Sequence, residues 1–109
     1  MKTSELTGAA LDWMVAKCEG YIDNPESWMY QAKSTDLIRT TFHPSKYWAQ
    51  GGPIIEREKI AIDFDGCLWC ASDNTNPLAN YGGTALIAAM RCYVASKMGD
   101  EIEIPGGLT

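Results

Sequence analysis

A chain of 109 residues, 46% hydrophobic and 21% charged, has apolar surface for one core and too little length for two. Four Trp, five Tyr and two Phe exclude disorder over the whole length, and a net charge of −5 disfavours sequence-independent nucleic-acid binding, which needs a basic face. No apolar run approaches the ~20 residues of a membrane span and no apolar signal core follows Met1 to Glu5, so a cytoplasmic protein with reduced cysteines is expected.

The first predicted element is a helix over 8–19. The Thr7 hydroxyl can cap its free first-turn amides, and Gly20 can end it in the left-handed conformation. Leu11, Met14, Val15 and Cys18 fall at i, i+3, i+4 and i+7, one apolar face. Trp13 falls opposite, beside Asp12 and Lys17, which requires a second covering surface. Residues 21–35 hold a turn at Asn24-Pro25 and a short strand at Trp28-Met29-Tyr30. Thr35 to Phe42 has the β-branched and aromatic content of another strand, which His43-Pro44-Ser45 stops.

Trp48-Ala49-Gln50-Gly51-Gly52-Pro53-Ile54-Ile55-Glu56-Arg57-Glu58 mixes residue types as a packing segment need not. Gly51 and Gly52 allow positive φ and close approach of another group to their amides. Pro53 suits the first position of a helical turn, Arg57 can fork onto a phosphate or carboxylate, and Trp48 offers a face for stacking. The plainer reading is a turn before a helix, with Ile54 and Ile55 in the core and Glu56-Arg57-Glu58 solvated.

Ile60, Ile62 and Phe64 then alternate with polar or small residues, and Asp65-Gly66 is a favoured type I′ turn. The returning strand, Cys67 to Ser72, would set Phe64 opposite Cys67, Ile62 opposite Trp69 and Ile60 opposite Ala71. After a polar loop from Asp73 to Pro77, Tyr81-Gly82-Gly83 leads into a helix capped by Thr84 and ended by Gly99. Glycines before a capped N-terminus favour an anion, but a lone Gly-Gly-Thr is a weak signal and a plain cap is the better account. Leu86, Met90, Tyr93 and Val94 form one stripe, and Ala88, Ala89, Cys92 and Ala95 fill the other faces, so this helix is covered on more than one side. Arg91, its only interior charge, needs a partner, most simply an Asp or Glu. Glu101 to Ile104 alternates like a short strand that Pro105 ends.

The expected fold is α+β, a single domain over 1–109. A small, mainly antiparallel sheet, made of the 59–72 hairpin and short strands, is packed by two main helices.

Conventional chemistry finds few footholds. Cys67-Leu68-Trp69-Cys70 spells C-x-x-C, but residues three apart on a strand face opposite ways. Cys18 and Cys92 lack partners at ligand spacing, and buried free thiols are the better account. No metal and no cofactor is expected. His43 is the only histidine and no nucleophile motif accompanies it. The pairs Glu56/Glu58, Asp63/Asp65 and Asp100/Glu101 read equally as surface charges.

Three blocks carry a family likeness: Ser4-Glu5-Leu6-Thr7-Gly8-Ala9-Ala10-Leu11-Asp12-Trp13, Trp48 to Glu58, and Thr84 to Pro105. Together they resemble the NinX-like proteins of tailed phages, from which residues 21–42 and 73–82 depart. The resemblance implies a small α+β protein of a phage or prophage, an accessory made early in infection in the cytoplasm of the bacterial host. It carries over no catalytic residues.

The leading functional expectation is a non-enzymatic accessory, of host-takeover or anti-defence kind, that binds a small ligand such as a nucleotide-type host signal. Trp48, Gln50, Gly51, Gly52 and Arg57 are its candidate residues, with Tyr81, Thr84 and Arg91 contributing. The alternative is a protein-interaction module that inhibits a host protein through Trp13, Trp28 and Tyr30, and a small nucleotide hydrolase using Glu56 stands behind both. Trp13 and the second helix, apolar on nearly every side, point to a homo-oligomer.

Overall fold

The first helix, α1, runs Gly8–Cys18. Here the structure is a computed structural model, and it describes residues 2–20, 43–73, 80–99 and 101–102. The predicted strands at 28–30 and 35–42 and the end of the strand at 101–104 lie outside the described residues. Thr7 enters α1 in extended conformation, yet its hydroxyl makes no cap bond, contrary to expectation. Gly20 does close the helix, at φ +81° with its N–H on the Lys17 carbonyl. The apolar face is where the spacing puts it, but Ala10 through Ala16 are all buried, Trp13 to 1% exposure. Trp13 is therefore core and not an outward face.

The second helix, α2, is Trp48–Glu58, with Pro53 inside it. Gly51-Gly52-Pro53 is thus neither a pivot nor a turn before a helix, and neither glycine has positive φ. Tertiary packing overrides the low helix propensity of these residues. A Cβ on Gly51 would stand 2.4 Å from the Pro44 carbonyl oxygen and 2.6 Å from Leu86 Cδ2, so the glycine lets α2 seat closely. Pro53 removes the amide that would bond the Ala49 carbonyl. Both residues are exposed, and water can take that bond. Ile54 is buried and Ile55 half-buried, as expected. Lys59 ends α2 in the left-handed region at φ 56°, with the Ile60 N–H on the Ile55 carbonyl.

Strands β1 (Ala61–Phe64), β2 (Trp69–Ser72) and β3 (Asn80–Gly82) form a three-stranded antiparallel sheet in that order. The hairpin lies where predicted, with its register two residues away from the predicted one. Phe64 pairs with Trp69 and Ile62 with Ala71 across a loop of residues 65–68. A type I′ turn needs positive φ at both central residues, and only Gly66 has it. Asp65 widens the loop instead: its Oδ1 accepts the N–H of Cys67 at 2.9 Å and of Leu68 at 2.8 Å. Because a strand repeats every two residues, this shift keeps Ile60, Ile62 and Ala71 toward the core, but Phe64, expected on the same buried face, is 51% exposed at the open end of the hairpin.

The third helix, α3, is Ala85–Met98, and the Thr84 hydroxyl accepts the Ile87 N–H at 3.1 Å. Gly99 follows at φ 86°. Nine of its side chains are buried, because α3 touches α1, α2, all three strands and the 3₁₀ turn Thr3–Glu5. β3 also approaches closely: a Cβ on Gly82 would lie 2.7 Å from the Ala88 nitrogen. Lys2 forms an antiparallel bridge with Glu101, and the Thr3 hydroxyl donates to the Gly99 carbonyl at 2.6 Å. Trp13 and α3, the two grounds for expecting self-association, are thus both covered within the chain.

The three helices run in the same direction. Their first residues meet at one cleft, while Arg57 of α2 bonds Glu19 at the end of α1 and Lys97 of α3 pairs with Glu58. Side-by-side macrodipoles of one sense bring three partial negative charges together at the C-terminal end. Lys17, Arg57 and Lys97, each in the last turn of its helix, offset them there.

Candidate functional site

At the other pole the N-termini converge on an open cleft of about 400 Å³. Gly8 of α1 lines it, with Ser45 and Lys46 from the turn before α2, Trp48 of α2, and Thr84 to Ile87 at the start of α3. Neither Thr7 nor Tyr47 caps its helix with a side chain, whereas the Thr84 hydroxyl serves a first-turn amide of α3. Free amides and aligned dipoles at one place favour negative charge. Gly8 stands at φ +55° with open space where a Cβ would project, leaving its backbone accessible. Lys46 is exposed and adds a formal positive charge, its Nζ 5.5 Å from the Tyr47 ring centroid. Trp48 is 57% exposed, the most open of the large apolar residues described. The lining thus sets three helix starts and Lys46 beside the Trp48 ring and the apolar side chains of Ala85, Leu86 and Ile87.

Two constructions hold this rim. Asp12, buried on α1, accepts the Ser45 N–H at 3.0 Å through Oδ1 and lies 3.2 Å from His43 Nδ1 through Oδ2. The Gln50 amide oxygen accepts the His43 N–H at 2.5 Å, fastening the same turn to α2. The second is Arg91, whose Nε donates to the Leu6 carbonyl at 2.8 Å and whose Nη1 donates to the Tyr81 carbonyl at 2.6 Å. Its partners are backbone carbonyls, not the Asp or Glu expected from the sequence. Burial by itself pulls the Arg91 pKa below its ordinary value.

Of the residues singled out in the sequence, Trp48 and Thr84 meet in the cleft. Gln50 and Gly51 stand behind it, holding and packing against residues 43–44. Gly52 is half-buried near the Trp48 ring. Tyr81 is exposed on the outer face of β3 while its carbonyl holds Arg91. Arg57 lies roughly 14 Å along α2 from Trp48 at 1.5 Å per residue. There its Nη1 and Nη2 fork onto Glu19 at 3.0 and 2.6 Å, and its Nε reaches Glu58 at 2.8 Å. The Tyr93 hydroxyl also donates to Glu19, at 2.5 Å. The hydrogen bonds Arg57 donates to Glu19 and Glu58 push its pKa up. Burial alone would raise the Glu19 pKa, but the bonds from Arg57 and Tyr93 outweigh it and hold the carboxyl below its usual range.

Gly8, Ser45, Lys46 and Asp12 were missed by sequence reasoning. None carries a local signal, since a helix start becomes a site only when another helix starts beside it. The cysteines are not uniformly buried as expected: Cys92 is buried, Cys18 and Cys70 are half-buried and Cys67 is exposed in the hairpin loop, and nucleophilic chemistry gains no support from Cys18 or Cys92. Burial pushes Cys18 up to about 11 and Cys92 up to about 12, so both remain protonated near neutrality. Among the described residues no three His, Cys, Asp or Glu side chains form a metal-binding group, and no helix is long and apolar enough to cross a membrane.

No curated protein matches the sequence. The sequence model of one family, described as Bacteriophage P22, NinX, matches residues 2–97. That span takes in the three resembling blocks up to Lys97 together with the segments between them, and the chain belongs to this NinX family of phage proteins.

Proposed function

We propose that this phage-family protein binds a small anionic ligand bearing a flat ring, of nucleotide type, in the cleft where its three helices begin. Binding without turnover is the activity, and sequestering or sensing such a host molecule is its accessory role in infection. The observation that carries this reading is the convergence of two helix starts without side-chain caps, a third capped one, Lys46 and the open Trp48 ring on one cleft. Backbone amides suit the anionic group, and the tryptophan face suits the ring. The protein-partner reading relied on Trp13, which is buried, while Trp28 and Tyr30 lie outside the described residues.

Titration with adenosine 5′-monophosphate, with adenosine as the uncharged control, tests it by calorimetry and by amide shifts in ¹⁵N–¹H spectra. The nucleotide is expected to bind and to move the amides of Gly8, Trp48 and Ala85, with adenosine much weaker. Trp48→Ala should lower affinity roughly tenfold, since stacking on an aromatic side chain contributes about 1–3 kcal/mol. Lys46→Ala should lower it only a few-fold, and that loss should fade as salt rises. Equal binding of nucleotide and adenosine, or amide shifts confined to the Arg57 end of α2, would refute the site.

A further inference from the structure

We infer that Arg91 is the positioning residue of the cleft, holding the starts of α1 and α3 in register through the two carbonyls it bridges. This rests on the binding reading above. Arg91 shares one face of α3 with Thr84 and Ile87, which lies against the cleft, and sits one turn behind Ile87 and two behind Thr84. Its Nε bonds Leu6 at 2.8 Å, two residues before Gly8, and its Nη1 bonds Tyr81 at 2.6 Å, three residues before Thr84. A planar guanidinium carries these donors at fixed separation, so satisfying both fixes the two entry strands relative to each other. At the segment after Leu6 the Thr7 hydroxyl makes no cap bond that could take over this fastening. The segment after Tyr81 is wedged where Gly82 meets Ile87 and Ala88. No carboxylate among the described residues pairs with Arg91, so its charge adds to the positive pole instead of being cancelled.

A lysine at this position keeps the charge and loses the fork. Arg91→Lys should therefore shift the amides of Thr7 and Gly8 together with those of Gly83 to Ala85, elements far apart in sequence. It should weaken adenosine 5′-monophosphate roughly tenfold, the value of one charge-assisted bond lost. Arg91→Met should do both more strongly. Wild-type affinity in Arg91→Lys, or shifts restricted to α3, would overturn the inference. If the wild-type protein does not bind the nucleotide, the binding reading fails by itself, and the paired amide shifts alone decide the role of Arg91. Should both variants fail to fold, deuterium exchange of the native Arg91 Nε–H decides it: slow exchange is expected, and exchange as fast as a solvated arginine overturns it.

Discussion

Glu19 ends α1 with its carboxylate turned onto Arg57 and Tyr93, and this arrangement has a pH consequence. In the folded protein Glu19 and Glu58 both hold their protons less readily than the ordinary carboxylate value of 4.5. For Glu58 the bond from Arg57 is the main cause. A depressed folded pKa stabilises the fold above the unfolded value and ceases to as the pH falls through the folded one. The contribution is thus complete above about pH 4.5 and lost progressively below it. Glu19→Gln should destabilise the protein at neutral pH by about 1 kcal/mol, a modest figure because half of Arg57 stays in water. It should also flatten the loss of stability below pH 4.5, read as urea midpoints across the acid range. Nucleotide affinity should be unchanged, because Arg57 lies at the far pole. A fall in affinity would return Arg57 to the binding site where the sequence had placed it.

At the scale of elements, α2 is where local propensity and tertiary packing disagree. A helix interior prefers alanine to glycine by about 1 kcal/mol, so on propensity alone Gly51→Ala would stabilise. A Cβ 2.4 Å from a backbone oxygen is a larger effect, since Pro44 cannot yield as a flexible side chain would. The substitution should lower stability, with an overpacking penalty of about 1–3 kcal/mol, measurable as a fall in Tm. A raised Tm would mean that α2 is not seated so closely. The same conflict explains what could be read in advance. The spans of α1 and α3, the Gly20 and Gly99 stops and the inward positions of Ile60, Ile62 and Ala71 follow from periodicity and capping chemistry, which are local, whereas Phe64 is left exposed at the end of the hairpin. The helix through Gly51-Gly52-Pro53 was hidden because its reason is Pro44 and Leu86, one outside the segment and one far along the chain. The register was misread because Asp65 acts through its carboxylate on Cys67 and Leu68, not through its backbone. Trp48 and Thr84 were legible as candidates by residue type, but their meeting was not, since it depends on how α2 and α3 lie together.

For the molecule as a whole, α3 is the organising element, because every other described element packs on it. Truncating Met90, which is fully buried there, should cost about 2–5 kcal/mol, as for other deletions of large core side chains. With no part of the described core independent of α3, tryptophan fluorescence and far-UV dichroism should give coincident urea transitions. Separate midpoints would show a second cooperative unit. The position of α3 in the chain has a further consequence, for synthesis. The bond of Glu19 to Tyr93 spans 74 residues, that of Leu6 to Arg91 spans 85, and that of Thr3 to Gly99 spans 96. While the ribosome is still making the hairpin, Leu11, Trp13 and Met14 have no α3 to lie against, and long-range closure of this kind slows folding. The nascent protein carries the α3-facing side of its first helix without that cover until the third emerges, and that interval leaves it open to chaperones and proteases.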